Sequence, residues 1–390
     1  MKKVLFLMPT VFNHGGEQRT VTNLCNSFVK NGYEVSLLLF DKSHKVDYSL
    51  YNLSRKVNVN FIDNYNALFS RCCRKIRNIN SKIGFLKHFD KINLFLMKKS
   101  FPFDKIVKFV NDYSPEYVIG VASEFNILCY FLKQKFPEIK IIGWQHSCHK
   151  AYFNTRGRRH FYEKKLVSSM YKKLDQYVVL TKNDQYLLKK ELGLDSTYIY
   201  NMKSFSSNIK SDLSVHSIMS AGRMDYIKGF DLLIDAFCEY NKKYPNNDWN
   251  LDIYGDGQEK ENLINKIKQY NLMDKIIVHP FTDDIISEYK KHSIYIMPSR
   301  WEGFPLTIGE CYEMNLPMIC FDIDVVKEFI ENNIDGIFVP SFDANKLADA
   351  ILELTKSEDL RKKIAYNQNK KIDELSEKKI MEKWKKILNK

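Results

Sequence analysis

Short apolar runs alternate with amphipathic stretches along almost the whole chain of 390 residues. Apolar runs of strand length are typical of strands buried on both faces, and amphipathic stretches between them are typical of helices that cover a parallel sheet. The alternation therefore predicts an α/β protein. In residues 1–203 the predicted strands are 4–8, 33–40, 57–62, 117–122, 140–144, 177–180 and 198–200, and a helix is predicted over 17–30.

The alternation stops and then starts again, which predicts two domains. Residues 202–217 are rich in serine and have no apolar periodicity, so we expect the linker there. The strands predicted after the linker are 218–221, 251–254, 276–278, 294–297, 318–321 and 336–339. We expect an N-terminal Rossmann-like domain over 1–203, a C-terminal Rossmann-like domain over 204–375, and a last helix over 376–390 that crosses back to the first domain.

Cysteine usage and hydropathy favour a cytoplasmic protein. The eight cysteines include no C-x-x-C pair and no His/Cys cluster with metal-ligand spacing. The opening MKKVLFLMPTVF is interrupted by Pro9 and is interpreted as a strand rather than a signal peptide. No run of 18 apolar residues without charge is present, so any membrane contact is expected to be peripheral.

The net charge of +13 is concentrated in the first half of the chain. Residues 1–203 carry 34 Lys/Arg and 16 Asp/Glu, whereas the rest carry 26 and 31. Residues 71–108 hold eleven basic and two acidic side chains mixed with apolar ones, a combination that suits an anionic membrane surface. A solvated helical face is the plainer interpretation of any one of these lysines. A nucleic-acid partner is not expected, because no basic recognition helix, zinc knuckle or aromatic RNA-binding motif is present.

Open α/β sheets bind ligands at the carboxyl ends of their strands, so the loops there contain the candidate site residues. Gly15 and Gly16 follow the first strand and precede a helix, where a ligand could approach backbone N–H groups, although a plain tight turn is the stronger explanation of a bare Gly-Gly. His146 follows another strand and is as consistent with packing as with function. Gly255 and Gly257 form a similar loop, which we interpret as a turn.

The second domain opens with SAGRMDYIKGF, in which Arg223 and Lys228 lie between a strand and a helix. A guanidinium and an ammonium group together suit a diphosphate. Further on, SRWEGFPLTIGE places Glu302 before a predicted helix and Glu310 inside it, so the positive helix end lies between two carboxylates. Carboxylates accept hydrogen bonds from hydroxyl groups, which makes a sugar nucleotide the matching ligand.

The ordered motifs of this chain resemble those of glycosyltransferase family 4, whose members are retaining enzymes of GT-B fold. The resemblance spans nearly the whole chain and is most specific in the E-x7-E segment. The motifs are GGEQR at 15–19, QHS at 145–147, GRMDYIKG at 222–229, YGDG at 254–257, SRWEGFPLTIGE at 299–310 and NNIDGIFV at 332–339. The resemblance implies two Rossmann-like doubly wound domains facing across a cleft.

The resemblance also assigns roles to residues. Glu310 would bind the donor ribose and Glu302 the transferred sugar, while Arg223 and Lys228 would hold the diphosphate. The implied catalytic residues are His146, Glu302, Arg223 and Lys228. The implied donor-binding residues are Gly15, Gly16, Arg223, Lys228, Phe281, Glu302, Gly303, Phe304, Pro305, Leu306, Thr307 and Glu310. Gln18, where the family often has Glu, leaves the acceptor side open.

The implied reaction moves a hexose or N-acetylhexosamine from a nucleotide sugar, with UDP favoured, to a lipid-linked or surface-polysaccharide glycan at the inner face of the cytoplasmic membrane. Neither cofactor nor metal is expected, because Arg223, Lys228 and the helix end would offset the charge of the leaving diphosphate. Asp322 and Asp324 form a D-x-D that we interpret as a strand-to-helix turn. A nucleotide-sugar epimerase is the alternative enzyme, and a catalytically silent scaffold the alternative outside enzymes. The sugar, acceptor and linkage stay open.

Overall fold

The computed structural model describes residues 1–63 and 65–389. Contacts divide the chain into two compact units. We call Met1–Met202 with Glu377–Lys390 the first unit, and Lys203–Ser376 the second unit. Each has its own parallel sheet and its own apolar core.

The first unit is built on a parallel sheet of seven strands in the order β3-β2-β1-β4-β5-β6-β7. Its strands are β1 Lys3–Met8, β2 Glu34–Leu39, β3 Asn58–Phe61, β4 Tyr117–Val121, β5 Lys140–Trp144, β6 Gln176–Val179 and β7 Thr197–Tyr198. The strand order reverses between β1 and β4, which pair directly, and such a reversal is the point where open α/β sheets bind ligands.

Helices of the first unit connect these strands. They are α1 Gly16–Lys30, α2 Leu68–Ile83, α3 Asp90–Lys99, α4 Phe103–Tyr113, α5 Ala122–Lys135, α6 Lys164–Tyr171 and α7 Lys182–Leu192. The predicted helix over 17–30 is α1, which buries Val21, Leu24, Cys25 and Phe28. The strand β4 passes into α5 through Ala122, whose φ is 65°.

The second unit has a parallel sheet of six strands in the order β10-β9-β8-β11-β12-β13. Its strands are β8 Ser217–Ala221, β9 Asn250–Tyr254, β10 Ile276–His279, β11 Ile294–Met297, β12 Met318–Phe321 and β13 Ile337–Val339. Its helices are α8 Phe230–Lys243, α9 Lys260–Gln269, α10 Ile285–Tyr289, α11 Leu306–Met314, α12 Asp324–Phe329, α13 Ala344–Lys356 and α14 Glu358–Asn369. The order reverses between β8 and β11, which pair directly.

The last helix, α15 Glu377–Asn389, packs on the sheet of the first unit. Its Trp384 ring lies 5.1 Å from the ring of Trp144 at the end of β5 and 6.2 Å from Phe28 of α1. Ser27 donates a hydrogen bond of 2.7 Å to Glu377. The last helix therefore belongs to the apolar core of the first unit, although the whole second unit lies between them in the sequence.

The sequence therefore predicted the fold class correctly: the protein is α/β, with two Rossmann-like parallel sheets. Each of the predicted strands has a counterpart among the described residues. No helix among residues 1–63 and 65–389 is long and apolar enough to cross a membrane.

Candidate functional site

The loop after β8 is folded around Asp225. Its carboxylate accepts hydrogen bonds from the backbone N–H groups of Ile227 at 3.0 Å and Lys228 at 3.2 Å, so it caps a single turn of 3₁₀-helix over Tyr226–Lys228. The other carboxylate oxygen accepts a hydrogen bond of 2.7 Å from Nε of Arg223. One acidic side chain therefore fixes the loop that carries both predicted basic residues.

The predicted residues Lys228 and Glu302 contact each other directly. Lys228 Nζ donates to Glu302 Oε1 at 2.6 Å, and Ser299 Oγ donates to the same oxygen at 2.7 Å. The two residues follow β8 and β11, the neighbouring strands at which the sheet order reverses. Glu302 keeps 12% of its side-chain surface exposed and Lys228 keeps 27%, so both remain accessible to a ligand.

Arg223 has a different environment. Its side chain is 72% exposed, and its ion pair with Asp225 leaves the outer part of the guanidinium group in solvent. Because the Arg223 side of this ion pair lies in solvent, the pair contributes little to stability. Arg223 is therefore an exposed cation, whereas Lys228 is more enclosed.

Arg300 joins the loop after β8 to the loop after β11. Its guanidinium donates two hydrogen bonds to the Asp231 carboxylate, at 2.8 and 2.7 Å, and a third to the Tyr226 carbonyl at 2.7 Å. Burial alone would raise the pKa of Asp231, but the hydrogen bonds and charge of Arg300 lower it, so the pair stays ionised. Arg300 thereby holds the 3₁₀ turn that ends with Lys228 against the loop that carries Glu302.

Glycines allow these loops to approach closely. Gly229 has φ of 68°, and a Cβ atom on it would lie 2.0 Å from the Pro298 carbonyl oxygen. Gly255 has φ of 149°, and a Cβ atom there would lie 2.0 Å from the Gly222 carbonyl oxygen. From the sequence, Gly255 and Gly257 were interpreted as a turn alone. They also let the loop after β9 lie directly against Gly222 and Met224.

The N-terminus of α11 and Glu310 form the next part of the site. Pro305 precedes the helix, and no side chain caps its first turn, which contains Leu306 and Thr307. Glu310 lies one turn further and is 5% exposed. Tyr289 Oη donates a hydrogen bond of 2.8 Å to Glu310 Oε2. Burial and the Glu310 charge raise the pKa of Tyr289 well above its ordinary value, so the phenol stays protonated and orients the carboxylate.

The remaining predicted donor residues of the second unit lie on the same strand-end loops. Gly303, Phe304 and Pro305 connect β11 to α11, and the Phe304 ring lies 5.0 Å from that of Phe329. Phe281 follows β10 and is 41% exposed. The strand end before it is fixed by Asp252, which is hydrogen-bonded to His279 at 2.5 Å and to His292 at 3.1 Å.

The predicted residues of the first unit follow β1 and β5. Gly15 directly precedes α1, and its backbone N–H donates a 2.9 Å hydrogen bond to Tyr51 Oη. Gly16 is exposed at the first turn of this helix. His146 packs against Trp144 with 4.0 Å between ring centroids, and burial lowers its pKa to about 3. Its Nε2 atom is buried and has no hydrogen-bond partner among the residues that the structure describes.

The chemistry of the second-unit loops is specific. One enclosed ammonium group, one exposed guanidinium group and an uncapped helix start favour an anion. Two carboxylates, each already oriented by a hydroxyl donor, can accept hydrogen bonds from a ligand with several hydroxyl groups. A sugar phosphate or sugar nucleotide combines both properties.

Comparison with known proteins agrees with this geometry. The family described as "Glycosyl transferases group 1" matches residues 204–371, which contain all of the site residues of the second unit. A chain named as an uncharacterized glycosyltransferase from Haemophilus influenzae is 26% identical over the full length of both chains. The amylovoran biosynthesis glycosyltransferase AmsD of Erwinia amylovora is also 26% identical over the full length of both. The chain is a glycosyltransferase.

The fold of this glycosyltransferase is of GT-B type. A crystal structure of S. aureus TarM, solved as a mutant in complex with fondaparinux, alpha-GlcNAc-glycerol and UDP, matches with a TM-score of 0.77. The two chains are 16% identical, and the match covers all of both. At this identity the likeness concerns the fold.

Several residues of the glycosyltransferase site were not identified from the sequence. Asp225, Ser299 and Arg300 lie two or three positions from predicted residues in the sequence. Asp225 had a usable signal, since an acidic residue three positions before Lys228 is typical of a turn cap. Tyr289 lies 21 positions before Glu310 and had none. The resemblance assigned Lys228 and Glu302 to different parts of a ligand, and their direct ion pair was not predicted.

Proposed function

We propose that the enzyme transfers a hexose or N-acetylhexosamine from a UDP-sugar, with retention of anomeric configuration, to a lipid-linked or surface-polysaccharide glycan. The observation that carries this proposal is the ion pair of Lys228 and Glu302 on neighbouring strands at the reversal of the sheet. It brings a group that suits phosphate within 2.6 Å of a group that suits sugar hydroxyls, and a nucleotide sugar needs both at the bond that breaks.

In the proposed complex, Lys228 and Arg223 bind the diphosphate together with the backbone N–H groups of Leu306 and Thr307. Negative charge grows on the diphosphate as the glycosidic bond breaks, and these positive groups would stabilise it. Arg223 is the exposed member and would approach the ligand from solvent, whereas Lys228 is already in place.

Glu310 is proposed to bind the ribose hydroxyls and Glu302 the hydroxyls of the transferred sugar. Phe281 is proposed to contact the base. In the first unit, Gly15 and Gly16 are proposed to contact the diphosphate through backbone N–H groups, and His146 to contact the sugar as a neutral imidazole. The low pKa of His146 supports this last role, because a neutral ring can contact the sugar without placing a cation beside an oxocarbenium-like centre.

Retention is proposed to occur on one face of the sugar, without a covalent intermediate. Glu302 is held by Lys228 and Ser299 at its Oε1 atom, and we propose that it binds sugar hydroxyls rather than attacking the anomeric carbon. We expect the leaving diphosphate itself to take the proton of the acceptor hydroxyl. Nuclear magnetic resonance of the first product formed would show the same anomeric configuration as the donor, and an inverted product would contradict the proposal.

The choice of UDP and of a glycan acceptor is supported by relatives. TarM was crystallised with UDP, and AmsD is named for the biosynthesis of the polysaccharide amylovoran. The strongly basic first half of the chain is the support for an acceptor met at an anionic membrane surface, with the enzyme in the cytoplasm.

A screen of sugar nucleotides by thermal stabilisation and donor hydrolysis tests the proposal. The wild type should be stabilised by one UDP-sugar more than by other nucleotides, since a ligand at 100 times its dissociation constant adds about 2.7 kcal/mol to the free energy of unfolding.

Lys228→Ala and Arg223→Ala should lower kcat/KM about tenfold to a hundredfold, because each removes a charged hydrogen bond to the diphosphate. Lys242→Ala, which removes an exposed lysine of α8, is the matched control and should leave kcat/KM unchanged. Wild-type kcat/KM in both site variants would refute the diphosphate assignment.

A further inference from the structure

The helix α2 carries its apolar side chains on the outside. The side chains that it buries against the first unit are Ser70, Cys73, Arg77 and Asn80. Its exposed side chains include Leu68 at 78%, Phe69 at 58%, Ile79 at 52% and Ile83 at 65%. A surface helix of a water-soluble domain normally has the opposite orientation, with apolar residues towards the core.

The inward polar face of α2 forms a network of hydrogen bonds with the rest of the first unit, and this network fixes the orientation of the helix. Arg77 donates two hydrogen bonds to the Glu124 carboxylate at the start of α5, at 2.6 and 3.2 Å. Asn80 donates to Glu163 at 2.7 Å and accepts from the backbone N–H of Leu86 at 2.7 Å. Rotating α2 to bury its apolar stripe would break this network and leave its charged members unpaired.

The turn after α2 and the helix α3 extend the apolar stripe. Their exposed apolar side chains are Phe85, Phe89, Ile92 and Phe95. Together with Leu68, Phe69, Ile76, Ile79 and Ile83 of α2, we call them the apolar ridge. A contiguous set of large exposed apolar side chains is typical of an interaction surface.

Basic residues surround the ridge. Residues 68–99 contain nine Lys/Arg and one acidic residue, Asp90. Seven of the basic residues are exposed: Arg71, Lys75, Lys82, Lys87, Lys91, Lys98 and Lys99. A second copy of this chain would bring like charges together at such a surface, whereas an anionic bilayer offers both an apolar interior and negative headgroups.

A basic cavity opens beside the ridge at the start of α2. Its volume is about 480 Å³, and it is lined by Asn66, Arg71, Arg74, Lys75 and Asn78. Arg74 is held in place, since it donates to the Ser100 carbonyl at 2.7 Å and to Asn66 at 3.1 Å. A fixed guanidinium group flanked by two exposed cations suits the phosphate of a lipid headgroup.

We infer that the α2–α3 hairpin is an insertion surface for an anionic phospholipid bilayer, with the apolar ridge in the acyl-chain boundary and a lipid phosphate in the basic cavity. The inference deepens the proposed contact with the membrane. Only its statement about the acceptor rests on the proposed function. It also locates that contact: Arg77 ties the hairpin to Glu124 at the carboxyl end of β4, beside the reversal of the first sheet, so an acceptor held in the bilayer would arrive near this edge.

Cys72 provides a natural reporter for the test. It is the exposed cysteine of α2, and six others are buried, with only Cys148 partly exposed. The full-length protein carrying Cys148→Ser is labelled at Cys72 with an environment-sensitive nitrobenzoxadiazole fluorophore. It is then titrated with phosphatidylcholine vesicles, with and without phosphatidylglycerol, at low and high salt. The emission should shift to the blue with phosphatidylglycerol vesicles and be quenched by spin labels in the acyl chains.

Two pairs of substitutions separate the ridge from the cavity. Phe69→Ser with Ile79→Ser should weaken vesicle binding about tenfold or more, because both remove apolar area from the bilayer boundary. Arg71→Gln with Lys75→Gln should weaken binding several-fold with phosphatidylglycerol and change little without it. Ile277→Ser with Tyr366→Ser removes two exposed apolar side chains of the second unit and should leave binding unchanged.

The outcomes distinguish the occupants of the surface. No spectral shift with anionic vesicles would overturn the inference, as would a shift that appears with protein concentration alone, which would indicate self-association. If free inorganic phosphate binds the wild type without vesicles and this binding is lost in Arg71→Gln with Lys75→Gln, the cavity binds a soluble anion and its assignment to a lipid phosphate is overturned. Donor hydrolysis is measured in all variants without vesicles, so that a failure of the proposed function is seen independently of the bilayer result.

Discussion

At the scale of single residues, the two carboxylates of the site should differ in what they bind. Glu302→Gln should weaken binding of the UDP-sugar about tenfold and leave binding of UDP unchanged, because Glu302 faces the sugar in the proposed complex. Glu310→Gln should weaken binding of both, since the ribose is common to them. Isothermal titration calorimetry with each ligand measures the difference, and Glu239→Gln, a partly exposed carboxylate of α8, is the control. Equal losses of UDP affinity in both site variants would reverse the proposed ligand orientation.

His146 predicts a pH dependence of stability. Its pKa is about 3 in the folded protein because of burial, and an unfolded histidine titrates near 6.5. Between these values the unfolded chain binds more protons, so the free energy of unfolding should fall as the pH falls from about 6.5, by up to about 1.4 kcal/mol per pH unit for this group. Urea titrations of the wild type and His146→Asn from neutral to mildly acidic pH should show a shallower dependence in the variant. If the free energies of unfolding of the two proteins changed with pH in parallel, protonation of His146 would not destabilise the folded protein.

The sequence contained the identities of the central charged residues but not their partners. Lys228 and Glu302 were predicted because each lies on a strand-end loop, and strand ends can be located from periodicity. Tyr289 and Arg300 were missed because their roles arise from contacts that depend on how α10 and the loop after β11 pack. Side-chain partners far apart in sequence are set by tertiary structure, which periodicity does not encode.

At the scale of elements, α2 shows that helical periodicity in a sequence does not state which face of a helix is buried. Its helical periodicity indicates an apolar face and a polar face, but not which of them faces the core. The ion pair of Arg77 with Glu124 decides this, because a guanidinium group that is 7% exposed needs a partner. The expectation that the basic side chains of residues 71–108 suit an anionic membrane surface therefore does not hold for Arg77, which faces inward.

Arg77→Ala should accordingly destabilise the first unit. Removing one partner of a largely buried ion pair leaves the other uncompensated, and since Glu124 is 37% exposed we expect a loss of about 2 kcal/mol rather than the 3–5 kcal/mol of a fully buried pair. Chemical denaturation followed by circular dichroism measures it. Lys75→Ala on the exposed side of the same helix should change the free energy of unfolding by less than about 0.5 kcal/mol. Similar values for the two variants would contradict the structural role of Arg77.

The turn between β8 and α8 depends on Gly229. Any other residue would adopt its positive φ at a cost and would place Cβ against the Pro298 carbonyl oxygen. Gly229→Ala should therefore cost about 2 kcal/mol or more and weaken donor binding, because the loops that carry Lys228 and Glu302 would separate. Gly32→Ala is the matched control, since Gly32 has φ of 82° with no atom within 4 Å of the added Cβ. It should cost only about 1 kcal/mol, and equal costs would show that the contact with Pro298 can relax.

At the scale of the whole molecule, the sequence predicted the two sheets well. Parallel strands are buried on both faces, so they occur as short continuous apolar runs that stand out between polar segments. Their order within each sheet is less visible, because it depends on which crossovers pack on which face. The last helix was predicted from its amphipathic, lysine-rich pattern, but that pattern does not state which surface the helix covers.

The return of α15 gives the last prediction. Trp384 is 1% exposed and fills a space between Trp144 of β5 and Phe28 of α1 in the first unit. Replacing a buried tryptophan with alanine costs about 3–5 kcal/mol, and Trp384→Ala should therefore unfold the first unit at lower urea while the second unit keeps its own transition. Hydrogen exchange resolved by mass spectrometry would locate the loss of protection in residues 1–202. Trp384→Phe keeps most of the volume and should retain most of the protection. Loss of protection in residues 203–376 instead would mean that α15 stabilises the other unit in solution.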